Sequence, residues 1–399
     1  MPAFRTLDGL EPHGRTVLVR LDLNVPMKDG EVTDATRIER SMPTVRELIE
    51  KKAKVLVLSH LGRPKGRREP SMSLEPLVGP IRDALGGKEV AFAEDCVGEA
   101  AKQAAQRLRP GDVVLLENLR FHAGEEKNDA AFSDQLASLG EIYVNDAFSC
   151  SHRAHASVVG LAERLWAYAG RLMQAELEAL EKALGNPKRP VAALVGGAKV
   201  STKLDLLGNL IEKADVLVLG GGMANTFLLA RGTPIGRSLC EREMLDTARK
   251  IMGKAQSKDC EILLPGDARV AKEFKEGAAS REIGVGEVAE DDMILDIGPA
   301  TAKEISVRLA DCRTVVWNGP LGAFEIRPFD AGTSAVANEV ARLTQSGGLL
   351  SVAGGGDTLS ALRRAGVLDQ LSYASTAGGA FLEWIEGKEL PGVAALRPR

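Results

Sequence analysis

The feature that most constrains this chain is a series of short, almost wholly apolar runs of strand length, separated by stretches of helix length. Residues 17–20, 55–58, 113–116 and 142–144 form such runs in the first part. Residues 192–195, 216–219, 261–264, 315–317 and 349–352 are their counterparts in the second. A strand that faces water on one side alternates apolar and polar residues. A run that is apolar throughout belongs to a parallel sheet covered by helices on both faces. The pattern predicts an α/β fold with doubly wound, Rossmann-like parallel sheets, and 399 residues suffice for two or three domains with sizeable cores.

Between the two sets lies one amphipathic stretch. Met173, Leu177, Leu180 and Leu184 recur at helical spacing among Glu176, Glu178, Glu181 and Lys182. The stretch stops at Gly185-Asn186-Pro187 and runs into Lys188-Arg189-Pro190. This predicts a connecting helix and hinge over 171–190, between a domain at 1–170 and another at 191–374.

Charge excludes some partners. Residues 1–170 hold 23 Lys+Arg against 25 Asp+Glu, and 171–399 hold 28 against 30, so neither part is basic. A polyanion-binding or membrane-surface protein usually shows a sign asymmetry, so neither nucleic acid nor membrane is an expected partner. No apolar run approaches a membrane span, and the first ten residues lack signal-peptide character. The five cysteines are scattered without metal-ligand spacing, which suggests reduced thiols and a cytoplasmic setting. Cys150 stands out because it lies among candidate site residues.

In open parallel sheets, ligands bind beyond the carboxyl ends of the strands. In the first part those ends read Arg20-Leu21-Asp22-Leu23-Asn24, Ser59-His60-Leu61-Gly62-Arg63, Glu117-Asn118-Leu119-Arg120, and Asn145-Asp146 followed by His152-Arg153. Arg37 adds a cation at a helix start. Guanidinium groups converging from several strand ends suit a carboxylate or phosphate, whose oxygens the planar fork matches.

In the second part the strand ends carry glycine. They read Gly196-Gly197-Ala198-Lys199, Gly220-Gly221-Gly222, Pro265-Gly266-Asp267, Asn318-Gly319-Pro320 and Gly354-Gly355-Gly356-Asp357-Thr358. Strand, glycines and then a helix make the geometry in which backbone N–H groups hold phosphate. Lys199 and Lys203, four apart, are expected in one helical turn facing the same anion. Asp357 is placed to serve a Mg²⁺ ion bridging phosphates. There is neither a P-loop nor a strict GxGxxG. The nucleotide these clusters suggest would be held another way.

These segments resemble phosphoglycerate kinases. The resemblance rests on VRLDLNVP (19–26), SHLGRP (59–64), ENLRF (117–121) and VNDAF with HRAHAS (144–157). It continues through GGAKVSTKL (196–204), GGGMANTF (220–227), DIGP (296–299), WNGPLGAFE (317–325), GGGDT (354–358) and EGKELPGV (386–393), in the family's order over the whole chain.

The resemblance implies two domains facing a cleft, with residues 375–399 returning to the first. It implies reversible, Mg²⁺-dependent phosphoryl transfer between ATP and 3-phosphoglycerate, giving ADP and 1,3-bisphosphoglycerate, in a monomer that closes by hinge bending. By motif position, Asp22, Leu23, Asn24, Arg37, His60, Leu61, Gly62, Arg63, Arg120 and Arg153 would bind the phosphoglycerate. Lys199, Lys203, Asn318, Pro320, Glu325, Gly355, Gly356, Asp357 and Thr358 would bind the nucleotide, with Asp357 on the metal. Arg37, Lys199, Gly355 and Gly378, with Gly379 nearby, would serve the transferring group. Ser149-Cys150-Ser151 stands where the family usually reads Gly-Thr-Ala, and Ala377 where it usually reads Gly.

Two other readings share parts of this pattern. A nicotinamide-dependent dehydrogenase has doubly wound domains, but the missing GxGxxG and the Lys199/Lys203 pair oppose it. A non-catalytic metabolite-binding protein would keep the fold, but it would have no need of Arg37, Lys199 and Asp357 together.

Overall fold

The computed structural model describes residues 4–398, and the chain divides into two units. One runs up to Leu177 and resumes at Glu389; the other spans Glu178–Lys388.

The first unit contains β1 (Thr16–Arg20), a small hairpin of β2 (Met27–Lys28) and β3 (Glu31–Val32), then β4 (Lys54–Leu58), β5 (Val90–Ala93), β6 (Val113–Leu116), β7 (Ile142–Asn145) and β8 (Trp166–Ala169). Six of these form one parallel sheet in the order β5-β6-β4-β1-β7-β8. The four strands read as apolar runs are the central ones, and nearly every residue in them is buried. The edge strands β5 and β8 are half-exposed, so they carry no continuous apolar run to betray them.

Helix Thr36–Glu50 buries Ile38, Met42, Val45 and Leu48 against Val17, Val19, Val55 and Val57 of the sheet. Each such burial is worth about 1.5–3 kcal/mol. That packing fixes Arg37 in the helix's first turn, over the end of the sheet. The strand order reverses at β1, which has β4 on one side and β7 on the other, so the ends of β1, β4, β6 and β7 border one crevice.

The second unit holds β9 (Val191–Val195), β10 (Val216–Leu219), β11 (Glu261–Leu263), β12 (Asp267–Ala271), β13 (Ser280–Gly284), β14 (Met293–Ile297), β15 (Thr314–Asn318), β16 (Leu350–Gly354) and β17 (Tyr373–Ser375). Its main sheet is again six-stranded and parallel, in the order β11-β10-β9-β15-β16-β17. Strands β13-β12-β14 form a separate antiparallel sheet. This corrects the reading of Pro265-Gly266-Asp267 as a strand end leading to a helix. The chain passes instead into β12, whose Ala268 and Val270 bury against Val288.

The connecting stretch is an α-helix over Arg171–Leu180 that ends in a wider turn over Glu181–Gly185. Met173, Leu177, Leu180 and Leu184 are all buried, and the boundary between units falls within the helix, after Leu177. Asp146 Oδ1 accepts the Met173 N–H at 2.9 Å and so caps the helix's first turn.

The resemblance puts the return to the first unit at about residue 375, whereas the contacts put it at Glu389. Tyr373–Ser375 still pairs with β16, and helix Gly379–Ile385 stays with the second unit. There Asn209 Nδ2 donates to Ile385 O at 2.7 Å. Beyond Glu389, the Gly392 N–H donates to Ser151 O at 2.9 Å, and a Cβ at Gly392 would lie 2.8 Å from Ser151 Cα. No helix among the described residues is long and apolar enough to cross a membrane.

Candidate active site: two ligand sites, one in each unit

In the first unit the charged residues at the strand ends hold one another in place. Asp22 accepts from Arg37 Nη1 at 2.5 Å and from the Ser149 hydroxyl. Its other oxygen accepts the Asn24 N–H at 3.1 Å. Asn24 Oδ1 accepts the Gly62 N–H at 2.9 Å, and Arg120 Nη1 donates to Gly62 O at 2.8 Å. The structure thus brings together Asp22, Asn24, Arg37, Gly62 and Arg120. Arg63 and Arg153 are exposed on adjoining loops, while Leu23 and Leu61 are buried and anchor theirs.

His60 is buried, and Nδ1 lies 3.0 Å from the Arg20 guanidinium. Arginine can only donate, so Nδ1 is the acceptor and the ring proton sits on Nε2. Burial, with Arg20 and Arg120 nearby, holds His60 well below the ordinary histidine range. It is therefore a neutral imidazole offering a single N–H.

Sequence reasoning missed the network behind this set. Arg20 is wholly buried, and its Nε donates to Ser157 Oγ at 2.8 Å. Ser157 Oγ donates in turn to the buried Glu125 at 2.5 Å. Ser59 Oγ accepts the Leu23 N–H at 2.9 Å and donates to Leu21 O at 2.8 Å. Asn118 Nδ2 donates to Leu61 O and Met72 O, both at 2.8 Å. Arg20, Ser59 and Asn118 were visible as polar residues at the ends of apolar strands. Nothing local in the sequence marks Glu125 or Ser157.

In the second unit the glycines allow backbones to approach closely. A Cβ on Gly196 would lie 1.8 Å from Pro320 O, and one on Gly319 (φ +101°) 2.2 Å from Gly196 O. The loops after β9 and β15 can touch only because both residues lack a side chain. Lys203 spans the same two strand ends. Its Nζ donates to Gly196 O at 2.7 Å, Asn318 Oδ1 at 2.6 Å and Asn318 O at 3.2 Å. Burial lowers its pKa to about 8, partly offset by Asp357. Asn318 Nδ2 donates to Gly354 O at 2.9 Å, and Thr358 Oγ1 accepts the Gly319 N–H at 2.7 Å.

Lys199 and Lys203 do not share a helical turn as expected. Residues Ser201–Lys203 form a 3₁₀ turn, and Lys203 breaks from helical geometry (φ −129°, ψ 19°) before helix Leu204–Lys213 begins. Lys199 therefore lies ahead of the helix and is exposed, whereas Lys203 is drawn in beneath the glycines.

A cavity of about 490 Å³ opens beside these loops. Leu239, Phe274, Leu295 and Leu321 give it apolar walls, and Gly197, Gly221, Pro320, Glu325 and Asp357 also line it. Leu239 and Phe274 are more than half exposed and line the same cavity, so together they offer an apolar surface to a ligand there. Pro320, Glu325 and Asp357 were expected at a nucleotide. Leu239 and Phe274 were not, because an exposed apolar residue reads in sequence like any core residue. Asn318 and Thr358 are buried behind the cavity, bracing it.

Gly355 (φ +98°) and Gly378 (φ +57°) each stand at the N-terminus of a helix, Gly356–Arg364 and Gly379–Ile385. Asp357 is exposed in the first turn of the former. At the two departures from the family pattern the backbone stays ordinary. Ala377 does not take a positive φ; Gly378 carries it. Ser149 donates to Asp22, and the Cys150 thiol, buried and raised in pKa by that burial, lies 3.7 Å from Arg20 Nη2.

Comparison with known proteins agrees with these observations. The family model described as phosphoglycerate kinase matches residues 7–388. The phosphoglycerate kinase of Rhodospirillum centenum is 63% identical over 394 residues, covering 99% of each chain. That of Granulibacter bethesdensis is 62% identical over 395 residues, covering 99% of this chain and 100% of the relative. The solved structure of the phosphoglycerate kinase from Coxiella burnetii superposes with a TM-score of 0.92 at 44% identity, covering 98% of both chains. That from Pyrococcus horikoshii does so at 0.80 and 32%, with the same coverage.

Proposed function

The chain belongs to the phosphoglycerate kinase family, whose members move a phosphoryl group between ATP and 3-phosphoglycerate, and on that premise we propose how its residues carry out the transfer. The observation that supports the reading best is the contrast between the two sites: interlocked guanidinium and imidazole donors in one unit, and a glycine-lined apolar cavity in the other.

The first site holds 3-phosphoglycerate. Arg63, Arg120 and Arg153, with the His60 Nε2–H, bind its phosphate, and the Asn24 amide is a further donor. Arg37, steadied by Asp22, orients the carboxylate that attacks. That carboxylate is ionised near neutral pH, so the reaction needs no general base, and catalysis rests on positioning and charge stabilisation.

The second site holds the nucleotide. The adenine lies between the apolar walls, with Pro320 and Glu325 at the adenosine. Lys203, fixed by Gly196 and Asn318, keeps the two strand ends together and supplies positive potential to the phosphates above them. Lys199 is free to reach the transferring phosphoryl oxygens, and the N–H groups at Gly355, Gly356, Gly378 and Gly379 complete the donor set. A single exposed carboxylate beside nucleotide phosphates is the donor set Mg²⁺ favours, so Asp357 fits that ion. When bound, Mg²⁺ neutralises phosphate charge.

Because the two donor sets belong to different units, transfer requires the units to close on each other, with bending near residues 169–190. The enzyme is expected to act as a cytoplasmic monomer. A coupled assay of ATP consumption with 3-phosphoglycerate and Mg²⁺ tests the whole reading, and a folded chain that gives no turnover would overturn it. Solution scattering tests the motion, since saturation with both substrates is expected to shrink the radius of gyration.

A further inference from the structure

A second group of chemically active side chains lies away from both substrate sites. Asp95 and Cys96 follow β5, and His122 follows the short turn after β6. These strands are neighbours in the sheet, so two segments far apart in sequence come together at its end. One carboxylate oxygen, the thiol sulfur and one imidazole nitrogen all lie within 4.8 Å of one another. Asp95 Oδ1 is 2.7 Å from His122 Nε2. The His122 ring stacks on Phe132 at 5.1 Å, which fixes its plane. Cys96 is wholly buried, and its sulfur lies within reach of the other two donors.

We infer that Asp95, Cys96 and His122 form a binding site for a borderline-soft divalent cation of the zinc class. A nitrogen, a sulfur and an oxygen donor are the mixed set such ions take, with a fourth position left to water. Tetrahedral coordination sets donors about 3.3–3.8 Å apart. Small side-chain rotations reach this from the observed group, by opening the Asp95–His122 contact and drawing in the sulfur. The ion takes the place of the hydrogen between Asp95 Oδ1 and His122 Nε2; the ring keeps one proton, now on Nδ1, and coordination releases the thiol proton to solvent. Thiolate, carboxylate and neutral imidazole then balance the dication, so the site is electrically neutral, with the buried sulfur behind and the half-exposed Asp95 and His122 towards solvent.

The chain offers a natural control. Asp22, His60 and Cys150 form a comparable group, but there the Arg20 guanidinium already lies within bonding reach of both His60 Nδ1 and the Cys150 sulfur. A fixed cation fills that position, whereas among the described residues no arginine donates to the Asp95, Cys96 and His122 side chains. An ion at the new site would staple residues 94–97 to the turn Leu119–Phe121. The His122 N–H already donates to Leu119 O at 3.2 Å, and Arg120 sits within that turn.

Titration of the full chain with Co²⁺, followed by absorption, tests the inference. The expected result is one tetrahedral Co²⁺ per chain with a sulfur-to-metal charge-transfer band, displaced by Zn²⁺. Cys96→Ser should abolish that band and Cys150→Ser should leave it. His122→Gln, read by Kd, should weaken binding at least about tenfold, which keeps the test valid if the serine variant does not fold. Absence of a thiolate band in the wild type, its survival in Cys96→Ser, or its loss in Cys150→Ser would overturn the assignment.

Discussion

Arg20 donates a guanidinium hydrogen to His60 Nδ1 at 3.0 Å, and both side chains are buried. The contact fixes the imidazole tautomer and keeps a cation beside the ring, so His60 resists protonation. ¹⁵N NMR of the folded chain is expected to show His60 as the Nε2–H tautomer throughout pH 6–8. A midpoint near the ordinary 6.5 would refute this. Affinity for 3-phosphoglycerate should accordingly show no step from His60 in that range.

Lys203 has a pKa of about 8 in the ligand-free chain because burial disfavours its charge. Nucleotide phosphates favour the charged form and raise the pKa. Nucleotide binding at pH 8 is therefore expected to take up protons. Calorimetry in buffers of different ionisation enthalpy measures the uptake, and Lys203→Met should lose it. Equal uptake in the variant would assign the proton to another group.

Asp146 is buried, and its pKa is raised to about 7 by desolvation, against 3.8 for the free side chain. The folded state thus holds its proton to higher pH than the unfolded state does. Between about pH 4 and 7 the unfolded chain releases the proton first, so this group's contribution to stability falls as pH rises. Asp146→Asn keeps an acceptor for the Met173 N–H and removes the charge. The variant is expected to be more stable than wild type at pH 8, by about 1–4 kcal/mol, with the gap closing towards pH 4. Denaturant unfolding at the two pH values checks this, and a gap that widens on acidification would contradict it.

Much of this molecule was legible in its sequence, for a physical reason. Central strands of a covered parallel sheet are buried on both faces, so β1, β4, β6, β7, β9, β10, β15 and β16 read as apolar runs. Edge strands β5, β8 and β17 have water on one side and gave no such signal, whereas the edge strand β11 did read as an apolar run over 261–264 although only Leu263 in it is buried. Strand ends pointed to Arg37, His60, Arg120 and the glycines, because topology alone places those ends at a ligand crevice. Relations set by folding were not readable. The spacing of Lys199 and Lys203 suggested a shared helical face, yet a 3₁₀ turn separates them. Glu125 reaches Arg20 only through Ser157, and Cys96 meets His122 only because β5 pairs with β6.

The close approach of Gly196 to Pro320 makes another test. Gly196→Ala places a Cβ against a backbone carbonyl that cannot rotate away. The strain is expected to cost about 3 kcal/mol or more and to weaken nucleotide binding while sparing 3-phosphoglycerate binding. Thermal unfolding and separate ligand titrations read the two effects. Wild-type stability in this variant would show that the loops after β9 and β15 are not held as described.

Lys199 is exposed while Lys203 is engaged, so the two lysines should differ in kinetics. Lys199→Ala is expected to lower kcat by about 10²–10³, as when a transition-state donor is removed, without changing stability. Near-normal kcat would exclude Lys199 from the transfer.

The central claim is that each substrate has its own unit. Hydrogen exchange with each ligand alone tests it most directly. 3-Phosphoglycerate is predicted to protect residues 22–24, 60–63, 118–121 and 152–155, and nucleotide to protect 196–199, 220–222, 319–325 and 355–358. Protection by 3-phosphoglycerate confined to the glycine loops, or by nucleotide confined to the arginine-bearing strand ends, would contradict the account.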